Sequence, residues 1–159
     1  MRFLIFLIFI FYINPSYSAT DDWTSYGKGS GGGHFSKADE ITPENVKKLE
    51  RVWVHRSGDY KGGANSAGVK GGEYQTSFQA TPLLVDDTLF YCTSFNRVFA
   101  LDPETGKEKW VFDPKLKKDG RAILACRGLS SWKDKTKSSS EKCHHRIMGV
   151  TIDAELFSI

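Results

Sequence analysis

Between Phe78 and Asp113 the chain alternates short apolar or β-branched runs with turns of two to four residues, a pattern that leaves few folds open. Ala80–Val85 reads as a strand with Pro82 near its start, the place where a strand tolerates proline. Asp86-Asp87 turns the chain into a second strand, Thr88–Thr93, and Ser94-Phe95-Asn96 turns it again into Arg97–Asp102. Pro103-Glu104-Thr105-Gly106 leads to a fourth strand, Lys107–Phe112. Short strands on tight turns predict an up-and-down antiparallel meander. Gly106 can supply a positive φ in the last turn. Asp102 and Thr105 can hydrogen-bond its backbone.

A second unit begins after it. Ile123–Leu129 reads as a strand and Lys133–Lys142 as a solvated loop, and Arg146–Thr151 with Glu155–Ile159 reads as a hairpin around Asp153-Ala154. This tracks strands two and three of the first unit. The sequence stops where the next Asp-x-x-Thr-Gly turn would fall, so the second unit is expected to be incomplete, with an uncapped edge strand at its end.

Upstream, Thr42-Pro43-Glu44 is a helix start: Thr42 can cap, Pro43 suits the first helical position and Glu44 favours the positive end. Ile41, Val46 and Leu49 give that helix one apolar side. Arg51–Arg56 alternates and reads as a strand. Gly27 to Gly72 holds 11 of the 15 glycines. The Lys28–Gly33 stretch within it is a loop and not a phosphate cradle, because no Lys-Ser/Thr follows and no βαβ pattern surrounds it.

Met1-Arg2, an apolar run of 11 residues from Phe3 to Ile13, and Ser16-Tyr17-Ser18 have the order of a secretory signal. The run falls short of the roughly 20 residues that span a bilayer; an uncleaved anchor is the alternative. Cleavage after Ser18 leaves 141 residues and lowers the formal charge from +3 to +2 through loss of Arg2. Such a charge gives no reason to expect nucleic acid or an anionic membrane as partner. With 40% hydrophobic and 26% charged residues, the chain is neither disordered nor collagen-like.

Export permits a disulfide. Cys92 reads as a small buried apolar residue within its strand. Cys126 and Cys143 flank the Lys/Ser-rich loop, and the expected bridge joins those two, stabilising by about 3 kcal/mol through loop closure. A zinc site from Cys143, His144 and His145 is the alternative, disfavoured because adjacent residues on a strand point to opposite faces and no second ligand pair has suitable spacing.

Ala100–Trp110, with Asp102-Pro103-Glu104-Thr105-Gly106 and Trp110 at its heart, resembles the tryptophan-docking repeat of quinoprotein dehydrogenases. The start Asp22-Trp23-Thr24-Ser25-Tyr26-Gly27, then Ile41–Val46, Val52-Trp53 with Arg56–Asp59, Phe78–Leu83, Cys126-Arg127-Gly128-Leu129 and Cys143–Ile147 continue the likeness in order. The chain is identified on these motifs as a member of the pyrroloquinoline quinone (PQQ)-dependent dehydrogenases, nearest the glucose/quinate branch. The resemblance implies an all-β fold: the N-terminal fragment, about one and a half blades, of an eight-bladed β-propeller. Length agrees, since four blades at roughly 40–50 residues each is the least that closes a propeller. The implied organisation is a signal over 1–18, a loop and short helix over 19–51, a ring-closing strand over 52–57, a Gly-rich loop over 58–77, a first blade over 78–113 and an incomplete second blade over 121–159.

The resemblance also implies PQQ and a divalent ion, usually calcium, on the propeller axis. A sugar, polyol or alcohol would be the substrate and a quinone or cytochrome the electron acceptor. It places Arg127 against the quinone, where a fixed cationic fork binds oxygens and stabilises charge on the reduced ring. Gln79 stands where the family often has Glu near PQQ, and so hydrogen-bonds without bringing charge. Trp132 also falls near the cofactor, at a position that is His in glucose-oxidising membrane members and Trp in others; this argues against glucose. Trp110 and Trp53 are expected to be structural docking residues. The catalytic aspartate, its lysine partner and the metal ligands match nothing in this chain. The soluble or peripherally bound product belongs in the periplasm and needs the remaining blades. Alone it is expected to be inactive and aggregation-prone, since repeat units bury their core against neighbours. A non-catalytic propeller scaffold or assembly factor, and a degenerate truncated gene product, are the competing readings.

Overall fold

The computed structural model describes residues 22–28, 31–59, 75–116 and 123–159. The signal segment and residues 60–74 of the Gly-rich loop lie outside them. Nine strands are present among the described residues. The first sheet has β2 (Leu83–Val85), β3 (Thr88–Cys92), β4 (Val98–Leu101) and β5 (Glu108–Phe112) in the order β2-β3-β4-β5, all antiparallel. This is the expected meander. Asp86 and Asp87 both sit at positive φ (46° and 51°), which a two-residue hairpin turn requires to match strand twist. Asp102 Oδ1 accepts from the backbone N–H groups of Glu104 (3.1 Å) and Thr105 (2.8 Å) and from the Thr105 hydroxyl (2.8 Å). The hydroxyl is the main reason its carboxyl is held below the usual range.

The strand expected over Ala80–Val85 is in fact two. β1 (Gln75–Thr81) pairs in parallel with β6 (Ile123–Gly128), and the chain changes partner at Pro82 before β2 pairs with β3. Pro82 has no N–H to continue either ladder, so it marks the switch. Beyond β6, β7 (Ser130–Lys133), β8 (His145–Val150) and β9 (Leu156–Ser158) form a second antiparallel sheet in that order. The expected hairpin is β8–β9, closed by Thr151 N–H to Glu155 O at 2.8 Å. β7 has no counterpart in the sequence reading, because its polar Ser-Ser-Trp-Lys sequence carries no strand signal.

Two further expectations change. Residues 51–57 make no ladder; the segment is extended, with Trp53, His55 and Ser57 half-buried and Val52, Val54 and Arg56 exposed. It binds the first sheet through side chains, such as Trp53 Nε1–H donating to Pro103 O at 3.0 Å. The helix after Thr42 is one 3-10 turn, Val46–Lys48. Its organiser is Asn45, whose Oδ1 accepts from Thr42 N (2.7 Å) and whose Nδ2 donates to Glu40 O (2.6 Å). The Thr42 side chain caps nothing at the backbone. Ile41, Val46 and Leu49 stay exposed, so no packing extends a helix too short to hold itself.

The alternation along β3 and β4 gives the first sheet two faces. Phe90, Cys92, Val98 and Ala100 meet Cys126, Leu129 and Ile147 of the second unit, with Phe112 and Phe157 alongside. Tyr91, Phe99 and Leu101 face the other way, toward Trp53. The main core therefore lies between the two units. Each fully buried side chain of this size contributes about 1.5–3 kcal/mol.

The expected Cys126–Cys143 bridge does not form. Cys126 is bonded to Cys92, with a Cα–Cα distance of 5.9 Å across 34 residues, and Cys143 is free and exposed. Cys92 ends β3 and Cys126 points into the same core from β6, whereas Cys143 sits at φ 62° in the turn before β8. The short spacing in sequence was outweighed by the inward alternation of two neighbouring strands. The bridge covalently joins the first sheet to the second unit.

Candidate functional site

Parallel pairing of β1 with β6 creates the site. Cys126 turns inward to its disulfide, so Arg127 turns to the opposite face. Register runs Phe78 with Cys126 and then Thr81 with Gly128, with a bulge between that brings Gln79 beside this stretch. Gln79 and Arg127 both line a cleft of about 720 Å³, together with Tyr26, Leu129, Met148 and Thr151. Gln79 and Arg127 are exposed. Gln79 Nε2 donates to Ser77 Oγ at 2.9 Å, which orients its amide. The Arg127 side chain has no hydrogen bond or ion pair to another described residue, so its five donors are available. An unpaired guanidinium beside an amide, over walls of Leu129 and Met148, suits a flat, oxygen-rich anion.

Trp132 is elsewhere. It lies on β7 opposite Arg146 of β8, with that guanidinium 5.8 Å from its ring centre, and it does not line the cleft. Trp110 packs on Phe90 with ring centres 5.6 Å apart and stays partly exposed. Among the described residues, Cys143, His144 and His145 do not form a metal-holding group. His144 Nδ1 bonds Lys137 O at 2.9 Å, while His145 Nε2 meets Ser131 Oγ at 2.8 Å. Among the described residues no group of three His, Cys, Asp or Glu can hold a metal ion.

Three residues escaped the sequence reading. Tyr26 lines the cleft from a turn where Gly27 takes φ 72°, and a Cβ on Gly27 would stand 2.7 Å from Gly32 Cα. The Trp-x-x-Tyr-Gly start was its only signal. Tyr91 and His55 border a second, apolar cavity of about 630 Å³. There Tyr91 O–H donates to His55 Nδ1 (2.5 Å) and His55 Nε2–H donates to Glu108 (2.8 Å). Burial, with the Glu108 charge behind it, pushes the Tyr91 hydroxyl up to about 12. The alternation of residues 51–57 puts His55 on the same side as Trp53, but nothing in the sequence indicates the Tyr91 partner.

Two antiparallel sheets packed face to face, with the strands that precede them, β1 and β6, paired in parallel, define a pair of β-propeller blades. The match to "PQQ: Glucose/ethanol/alcohol dehydrogenase, beta-propeller domain" covers residues 23–159, and the chain belongs to this family. It is 37% identical over 146 residues to quinoprotein glucose dehydrogenase of Escherichia coli (strain K12), covering 89% of this chain and 18% of that protein. It is 30% identical over 154 residues to quinate/shikimate dehydrogenase (quinone) of Acinetobacter baylyi, covering 87% and 18%. The crystal structure of quinohemoprotein alcohol dehydrogenase from Comamonas testosteroni superposes with a TM-score of 0.59 at 25% identity, over 89% of this chain and 18% of that one. The chain thus spans about a fifth of the length of these relatives.

Proposed function

We propose that this chain supplies the first blade, and part of the second, of an exported PQQ-dependent dehydrogenase that oxidises a sugar, polyol or alcohol hydroxyl. The observation that carries the reading is that Gln79 and Arg127, on the parallel-paired strands β1 and β6, line one cleft. PQQ, when bound, supplies the hydride-accepting redox chemistry. Arg127 holds its acidic oxygens through a charged fork, and Gln79 adds a neutral hydrogen bond. The donor set fits such a ligand. Trp132 is left out of this set because it stands away from the cleft and against Arg146. The catalytic aspartate, the ligands of a divalent ion (calcium in this reading) and the site for a quinone or cytochrome acceptor belong to blades outside this chain. The 159 residues alone therefore bind cofactor without turning over substrate. Residues 1–18 direct the chain to the periplasm.

Equilibrium dialysis of the chain against PQQ tests the reading. Arg127→Ala is expected to weaken binding by about 10- to 100-fold, the range for one lost charged hydrogen-bond set, and Gln79→Ala by less. Equal affinity in wild type and Arg127→Ala, or no binding by either, overturns the assignment.

A further inference from the structure

Asp59 lies at the end of the extended segment on the first sheet, and its side chain is largely buried. Its Oδ1 takes Arg97 Nη1 at 2.9 Å. Its Oδ2 is buried and has no hydrogen-bond partner among the described residues. A buried carboxylate oxygen left unpaired costs well over 1 kcal/mol, so native proteins rarely leave one in that state. Beside it is a pocket of about 20 Å³ lined by Ser57, Asp59, Phe78, Thr93 and Ser94. One water needs about 10–15 Å³ measured in this way, with two to four polar partners.

The neighbouring hydroxyls have matching capacity to spare. Thr93 Oγ1 accepts from Phe95 N–H at 3.3 Å, which leaves its own proton to donate. Ser94 Oγ donates to Ser77 O at 3.0 Å, which leaves its lone pairs to accept. Ser57 Oγ accepts from Asp59 N–H at 3.2 Å and is also turned to the Tyr91 hydroxyl, so it is already engaged.

We propose that this pocket is the binding site of a single structural water, which donates to Asp59 Oδ2 and Ser94 Oγ and accepts from Thr93 Oγ1. Water fits better than a cation, because Asp59 is the one carboxylate lining the pocket and Arg97 already neutralises it. The site extends a chain of hydrogen bonds from the Arg97–Asp59 pair through Ser94 to the Ser77 backbone carbonyl; the Ser77 hydroxyl separately accepts from Gln79 Nε2. The water therefore ties the 51–59 segment to the strand that carries Gln79. It does not depend on what the cleft binds.

The test is a high-resolution crystal structure of the chain, alone or within a longer protein that contains it, alongside the near-isosteric Thr93→Val variant. The expected result is one ordered peak within hydrogen-bond distance of Asp59 Oδ2, Ser94 Oγ and Thr93 Oγ1, which disappears in Thr93→Val. An empty pocket, a protein donor on Oδ2, or a peak with short cation–oxygen distances overturns the site. A peak unchanged in Thr93→Val overturns the donor assigned to Thr93. The wild-type density decides the question even where the variant does not fold.

Discussion

The indole of Trp53 lies flat against Gly106: a Cβ placed on Gly106 would stand 2.5 Å from the ring, and Trp53 Nε1 donates to Pro103 O three residues earlier in the same turn. Gly106 also holds φ at 69°. One glycine thus meets two demands, room for the indole and a left-handed backbone. The docking repeat is realised by a Trp from the preceding segment resting on the turn of the first blade. Gly106→Ala is expected to cost about 2–4 kcal/mol, combining overpacking with strain at positive φ. Trp53→Phe keeps much of the contact and loses the hydrogen bond, at about 1 kcal/mol. Urea unfolding followed by Trp110 and Trp132 fluorescence checks both; a Gly106→Ala midpoint equal to wild type would sink the docking argument.

The disulfide makes a prediction by chemical labelling. Without reduction, alkylation should mark Cys143 alone, and after reduction in denaturant all three cysteines. Cys126→Ser is expected to destabilise by about 2–5 kcal/mol and Cys143→Ser to be neutral. Labelling of Cys92 in the native, unreduced protein would exclude the bridge.

The meander was legible because its signals are local: alternation along β3 and β4, paired aspartates in one turn and an Asp-x-x-Thr-Gly turn in the next. What the sequence hid was set by neighbours distant along the chain. Local sequence makes Pro82 a strand residue, yet the change of partner there depends on β6, about forty residues later. Cys126 likewise bonds Cys92, 34 residues away, and not the nearer Cys143 that spacing suggests. Arg127 and Gln79 line one cleft, and inward Cys126 dictates outward Arg127. Trp132 stands on β7 opposite Arg146, a place that its polar strand sequence does not indicate.

Asn96 is the polar residue on which the two blades are keyed. It is 1% exposed, sits at φ 57° in the β3–β4 turn, and its side chain accepts from Ile152 N–H (3.3 Å) and donates to Val150 O (3.5 Å). Asn tolerates the left-handed region better than other residues with a Cβ. Asn96→Ala leaves the Ile152 N–H without its acceptor and is expected to cost about 1–3 kcal/mol. Asn96→Gly relieves the backbone and should restore only part of it. Faster amide hydrogen exchange confined to the β8–β9 turn in both variants would place the loss at the blade interface; unchanged exchange there would refute the keying role.

Acid should loosen the same interface through His145. Its imidazole is held below the ordinary value of 6.5, chiefly by burial, with Lys133 and His144 acting in the same sense and Asp86 and Asp22 opposing. The folded state therefore binds fewer protons than the unfolded chain just below pH 6.5. Stability is complete above that pH and falls as pH drops through the lowered folded value. Asp102, Asp134 and Glu141, all held low by hydrogen bonds, act in the same direction only below the ordinary carboxylate range. Tyr91 acts at the other extreme: raised to about 12 from 10, it withdraws stability as pH climbs between those values. The curve should thus have an acid shoulder separate from the carboxylate limb. His145→Gln should flatten that shoulder, leaving the carboxylate and alkaline limbs in place. Chemical denaturation from about pH 2 to 12 checks this, and a shoulder that persists in His145→Gln assigns it to another group.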